Sequence, residues 1–181
     1  MLRRVASARA GRQRGCAGGM TAVSAVALCM AMSVQAADEI TGKVVRVPGG
    51  DTVVVAADAG EMEIRLADIG APQASQYYAP PARTLLANMV MDRPVRVVLT
   101  GHDGPRRAFG RVFAGDLDVN LELVKRGAAW VCLVYAMDTN LLPYENDAIR
   151  WRRGVWAQTT QFDARVACDK RPPAEHPVSK P

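Results

Sequence analysis

The stretch Ile64-Arg65-Leu66-Ala67-Asp68-Ile69-Gly70-Ala71-Pro72-Gln73 begins as an alternating strand, places a guanidinium on one face, and breaks at Gly70 and Pro72. Polar groups at a strand end, where the chain enters a loop, are where a rigid scaffold displays chemistry. Two other segments bear on it: the turn Pro48-Gly49-Gly50-Asp51-Thr52 upstream and Phe109-Gly110-Arg111 downstream. Asp51 sits in the turn, and Asp68 at the strand end fits a solvated turn residue or a partner for a nearby arginine. Arg65 and Arg111 are forks that match carboxylate or phosphate oxygens. Gln73 offers hydrogen bonds but takes no proton near neutral pH. Each arginine also has a plainer use. Arg65 can pair with Glu63, its same-face neighbour, and Arg111 can be a surface charge. Arg106 and Arg107 either extend a phosphate-binding patch around Arg111 or form a solvated loop. His102 and His176 lack metal-ligand spacing, and no Ser-His-Asp or Cys-His arrangement stands out.

The elements that must position these groups are mostly strands. Ile40–Val47, Thr52–Val55 and the alternation Met62, Ile64, Leu66 read as a meander, turned at Pro48-Gly49-Gly50 and Asp58-Ala59-Gly60. Pro80-Pro81 opens a helix over Ala82–Met91, where Leu85, Leu86, Met89 and Val90 have helical spacing. Pro94–Thr100 is a fourth strand, His102–Ala108 a polar loop, and Arg111–Ala114 a short fifth strand. Val119–Arg126 is a helix stopped by Gly127, with Lys125 and Arg126 in its last turn. Ala128–Tyr135 reads as a buried strand and Pro143–Arg153 as a final helix ended by Gly154. The pattern predicts a mainly β fold with about three helices, a small closed OB-like barrel. Strand order alone also fits an open α+β sheet.

Residues 1–37 have the layout of a secretory signal peptide. Five arginines precede an apolar run from Met20 to Val34, and small residues follow at Ala36 and Ala37. The run is shorter than the ~20 residues that span a bilayer, so no membrane span is expected after processing. The protein is therefore expected to be exported, to the periplasm or outside the cell. The whole chain has 23 basic and 18 acidic residues, but without the leader 18 of each remain. The basic balance is thus no argument for a nucleic-acid partner. About 144 residues make one domain, expected over 38–157, followed by a partly disordered tail at 158–181. Cys132 and Cys168 are left as a pair: one disulfide from a late strand to the tail, or Cys132 as a small buried apolar residue.

Six pieces occurring in order between residues 40 and 157 resemble the staphylococcal nuclease (thermonuclease) family. They are Gly50-Asp51-Thr52, Ile64-Arg65-Leu66-Ala67 with Ala71-Pro72, Phe109-Gly110-Arg111, Val119-Asn120 with Leu123-Val124 and Gly127, Ala129-Trp130-Val131, and Arg153-Gly154-Val155-Trp156. The resemblance implies a five-stranded OB-fold barrel that hydrolyses phosphodiester bonds of DNA and RNA. Calcium would be held by two aspartates and a backbone carbonyl, a glutamate would prepare the attacking water, and two arginines would grip the phosphate. Asp51 falls on the first metal aspartate, Arg65 and Arg111 on the two arginines, and Ala71 on the carbonyl. Gly70 stands at the second metal aspartate and Gln73 at the glutamate. Gly49 replaces an acid often found before the first turn, and Phe109 replaces a tyrosine.

These departures predict weak or absent calcium binding and impaired catalysis, with nucleic acid or another phosphorylated or acidic ligand still able to dock. One rival reading is an active metal-dependent endonuclease with a rearranged site. In an extended strand Asp68 points to the same side as position 70, about 6.6 Å away, so a shifted metal could use Asp51 and Asp68. The other rival is an envelope interaction module without catalysis.

Overall fold

The computed structural model describes residues 38–133, 136, 138–158 and 168. The leader, residues 134 and 135 of the expected late strand, His176 and the tail beyond 158 apart from Cys168 lie outside them. Among the described residues no helix is long and apolar enough to cross a membrane.

The expected meander forms as β1 (Glu39–Arg46), β2 (Thr52–Ala57) and β3 (Gly60–Leu66), each antiparallel to the next. β5 (Pro94–His102) pairs with β1, and β6 (Arg107–Ala114) pairs with β5 and with the two-residue β7 (Leu117–Asp118). The parallel pairing of β3 with β6 then closes a five-stranded barrel, so the OB-like expectation holds and the open sheet does not. Alternation fills the barrel. Val44, Val53, Val55, Ile64, Leu66, Val95, Val97, Ala108 and Val112 form one buried cluster, while the residues between them face outward.

Three helices cover the barrel: α1 (Ala79–Val90), α2 (Val119–Lys125) and α3 (Leu142–Arg150). α1 has prolines in its first turn and contributes Ala82, Leu86, Met89 and Val90 to the core. α2 begins at Asp118, whose carboxylate accepts from the Leu121 N–H at 3.1 Å.

Three expectations need correction. The polar loop before Arg111 is short, because β6 starts at Arg107 and Ala108 is already buried in the barrel. Among the described residues of the expected late strand only β8 (Trp130–Val131) forms, and it pairs with the two-residue β4 (Ile69–Gly70). α3 ends at Arg150 rather than Arg153.

β8 begins a second, smaller core of Trp130, Cys132, Val155 and Cys168. Cys132 and Cys168 are joined in a disulfide with Cα atoms 5.6 Å apart, and the Trp130 indole N–H donates to Cys168 Sγ at 3.1 Å. Beside this core Glu145 of α3 is buried and accepts from the Val131 N–H at 2.8 Å. Burial raises its carboxyl above the usual glutamate range, and the Val131 hydrogen bond offsets only part of that rise.

Candidate functional site

A cleft of about 440 Å³ opens between the β1–β2 turn, the end of β3, the loop after β4 and the start of α1. Its position follows from close packing at Gly50. A Cβ there would lie 2.9 Å from Ala71 Cβ and 3.0 Å from Ala82 Cβ, so only glycine lets the turn seat against both the β4 loop and α1. The Leu66 N–H donates to the Asp51 carbonyl at 2.9 Å, tying the same turn to β3.

Asp51 forms the inner wall and is almost wholly buried. Its carboxylate accepts from the Thr52 hydroxyl at 3.0 Å and from the Ala71 N–H at 3.4 Å. The antiparallel register sets Thr52 across from Arg65, which brings Arg65 Nη2 to 3.8 Å from Asp51 Oδ2. Arg65 is one-third exposed at the mouth, while its Nε is shut off from solvent without a hydrogen-bond partner among the described residues. The plainer pairing with Glu63 is not what forms: Glu63 binds Arg107 at 3.4 Å, and Arg107 also reaches Asp103 at 3.5 Å. Arg107 thus belongs to a surface ion-pair group.

Gln73 lies on the opposite lip, and its amide Nε2 donates to the Ala71 carbonyl at 3.2 Å. Gly70 is not among the residues lining the cleft. A Cβ on it would meet Trp130 Nε1 at 2.8 Å, Trp130 Cε2 at 3.0 Å and Cys132 Sγ at 3.1 Å. The space beside position 70 is occupied by the tryptophan and the disulfide. Among the described residues, no three His, Cys, Asp or Glu side chains gather as a metal site.

Asp68 does not stand where the extended-strand reading puts it. Its φ is +65°, so the chain turns between β3 and β4 and the two-residue alternation toward position 70 is broken. Its carbonyl accepts from the Cys132 N–H at 2.9 Å, and it is not among the residues lining the cleft.

Arg111 is not among them either. The parallel register sets Phe109 beside Arg65, and Arg111 follows two residues on along the same outer face of the β3–β6 pair. There it is gripped by two carboxylates. Its Nε and Nη2 reach Asp118 Oδ2 at 2.8 Å and 2.6 Å, and Nη1 binds Asp138 Oδ2. Both partners are caps: Asp118 for α2, and Asp138 for the short turn Thr139–Leu141 through the Asn140 N–H at 2.9 Å. Burial pulls the Arg111 pKa down, but the bonds and charges of Asp118 and Asp138 outweigh it and the net shift is upward. For Asp138, burial raises the carboxyl, but the Asn140 N–H and Arg111 together hold it below the usual aspartate range.

The cleft contains a second guanidinium that the sequence did not single out. Arg83, on the first half of α1, lies in its wall and donates from Nε to the Val47 carbonyl at 2.8 Å. The available signal was its place one turn after Pro80, facing away from the core set of Ala82, Leu86 and Met89.

Barrel and cleft together define an OB-fold protein with an arginine-bearing recess between its first turn and the end of its third strand. Residues 63–158 match the family model described as "Staphylococcal nuclease homologue". A protein of Escherichia coli O157:H7 named "Uncharacterized endonuclease" is 36% identical over 120 residues, covering 66% of this chain and 78% of the relative. The "Micrococcal nuclease" of Shigella flexneri is 33% identical over 144 residues, covering 74% of this chain and 83% of its own length. An "Uncharacterized endonuclease" of Haemophilus influenzae is 30% identical over 124 residues, 68% of this chain and 70% of that protein. The chain belongs to the staphylococcal nuclease family.

Proposed function

We propose that this chain is an exported nuclease-family protein whose cleft binds a phosphate of a nucleic acid and hydrolyses it poorly. The supporting observation is the wall at Gly70. The family's second metal aspartate would need a side chain at this position, and the space is taken by Trp130 and Cys132.

The remaining donors do not fit calcium. Asp51 is the one cleft carboxylate at a family metal position, and the Ala71 carbonyl is engaged by the Gln73 amide. Calcium takes six to eight oxygens and its affinity follows ligand charge. Gln73 also removes the proton acceptor, a loss of about 10²–10⁴ in rate where a general base is required. What persists is Arg65, a fork aimed at an anion. The names carried by the relatives favour nucleic acid as its source. Export rests on the leader at 1–37, with the binding domain at 38–157 and the tail at 158–181.

Calcium-dependent cleavage of single-stranded DNA, measured beside an active nuclease of the family, tests the reading. The expected turnover is at least about a hundredfold lower, and Gln73→Glu recovers part of it. Turnover equal to the active nuclease, abolished by Asp51→Ala, overturns the reading.

A further inference from the structure

Resting on the phosphate-binding reading above, we infer that Arg83, and not Arg111, is the second guanidinium that grips the phosphate in the cleft. The ligand is a phosphate group carried on a single-stranded oligonucleotide.

Three observations carry this. First, Arg83 is held in place but not used up. Its Nε donates to the Val47 carbonyl, which anchors the guanidinium beside the β1–β2 turn, and none of the ion pairs among the described residues involves Arg83. The two terminal nitrogens of the fork are left for an acceptor. Second, Arg83 lines the same recess as Arg65, whose own Nε is dehydrated and unpartnered among the described residues. A phosphate between the two would supply oxygens to both, in the geometry that guanidinium forks favour. Third, the acids of the recess are already committed. Asp51 is bonded to Thr52, Ala71 and Arg65, and Glu63 to Arg107. An anion entering there meets two cations and little free negative charge. The start of α1 borders the same recess with no acidic residue in its first turn, which adds to that field.

Arg111 cannot take this role without giving up Asp118 and Asp138, both of which cap helical turns. Among the described residues Arg83 has no such competitors.

The test is fluorescence anisotropy of the full chain in EDTA, over a range of salt. One probe is 3′-fluorescein-labelled tetrathymidylate with a 5′-phosphate, and the second is the same strand without it. Arg83→Ala is expected to weaken binding by about tenfold to a hundredfold, the range for losing hydrogen bonds to a charged group. It should also make the slope of log K against log salt shallower by about 0.7, one phosphate contact on a single strand. Arg83→Lys should keep the slope while losing affinity, since it keeps the charge but not the fork. Arg111→Ala should bind within about twofold of the parent protein.

Preference for the 5′-phosphorylated strand assigns a terminal phosphate, and equal binding of the two strands assigns the backbone. Either supports the inference when Arg83→Ala weakens that binding and makes its salt slope shallower. If Arg65→Ala loses binding and Arg83→Ala does not, the Arg83 assignment fails and the phosphate-binding reading stands. If Arg83→Ala weakens binding with the salt slope unchanged, Arg83 only shapes the turn through Val47, and the inference again fails. If the parent protein binds neither strand, both readings fall.

Discussion

Arg65 and Arg111 lie on one outer face of the same pair of strands, and their surroundings give them opposite uses. Arg65 stands at a recess with one loose ion-pair contact, 3.8 Å from Asp51. Arg111 is held by two carboxylates, with Asp118 as close as 2.6 Å, and through them ties β6 to the start of α2 and to the turn at 139–141. The charge is the same; the difference is how many nearby acids have already claimed it. An arginine with bonds still to make can hold a ligand, whereas a saturated one stabilises the fold. The neighbours therefore define the role better than the residue type or its place in a motif.

The largest effect is expected behind the cleft. Gly70→Asp places a Cβ 2.8 Å from the Trp130 indole and a carboxylate in a packed wall. Urea unfolding should show a loss of about 3 kcal/mol, at the upper end for overpacking. Tolerance of this change, together with tight calcium binding, would mean that the recess is one residue from a working metal site, and the contrast with Arg111 would lose its point.

Arg65→Ala comes next. Anisotropy with single-stranded DNA should report binding weaker by about tenfold to a hundredfold. Arg111→Ala should do the reverse. It leaves Asp118 and Asp138 facing each other without their cation, for a stability loss of about 1–2 kcal/mol, the cost of orphaning partly buried charged groups. Its oligonucleotide binding should be unchanged. Swapped outcomes for the two variants would reverse the roles assigned to Arg65 and Arg111.

The smallest effect is a pH dependence of two signs. Asp138 is held below its usual range, so its contribution is present at neutral pH and is lost as pH falls through its folded-state value. Glu145 is pushed above its range, so the folded form holds its proton more tightly. Its ionisation costs stability as pH rises from the ordinary glutamate value through the folded one. Denaturation midpoints between pH 3 and 7 should show Arg111→Ala losing less on acidification than the parent protein. Glu145→Gln, which can still accept the Val131 N–H, should gain on the parent protein as pH rises.

The barrel was legible because its strands alternate: Ile64 and Leu66 point in, Glu63 and Arg65 out, and the turns carry glycine and proline. β4 and β8 were not, since two residues give no period, and what makes them a pair is Trp130 seated on Gly70. Asp51 and Arg65 were legible from the turn and the strand end. Arg83 was not, because an outward arginine on a helix looks like any solvated residue until the Val47 carbonyl is seen beside it. The reading of Asp68 assumed an extended chain, and the left-handed turn at that residue removes the assumption. The saturation of Arg111 depends on Asp118 and on Asp138, 27 residues away, and no local pattern ties a strand arginine to either of them.

On the proposed reading, an anion docks on the guanidinium groups of the cleft without help from a metal. The direct test follows a labelled single-stranded oligonucleotide by anisotropy and by gel, with calcium and then with EDTA. The expected result is the same affinity in both conditions and a strand cut at least about a hundredfold more slowly with calcium than by an active nuclease of the family. Binding that disappears with EDTA, or a strand cut as fast as an active nuclease of the family cuts it, would show that a metal still works in the cleft.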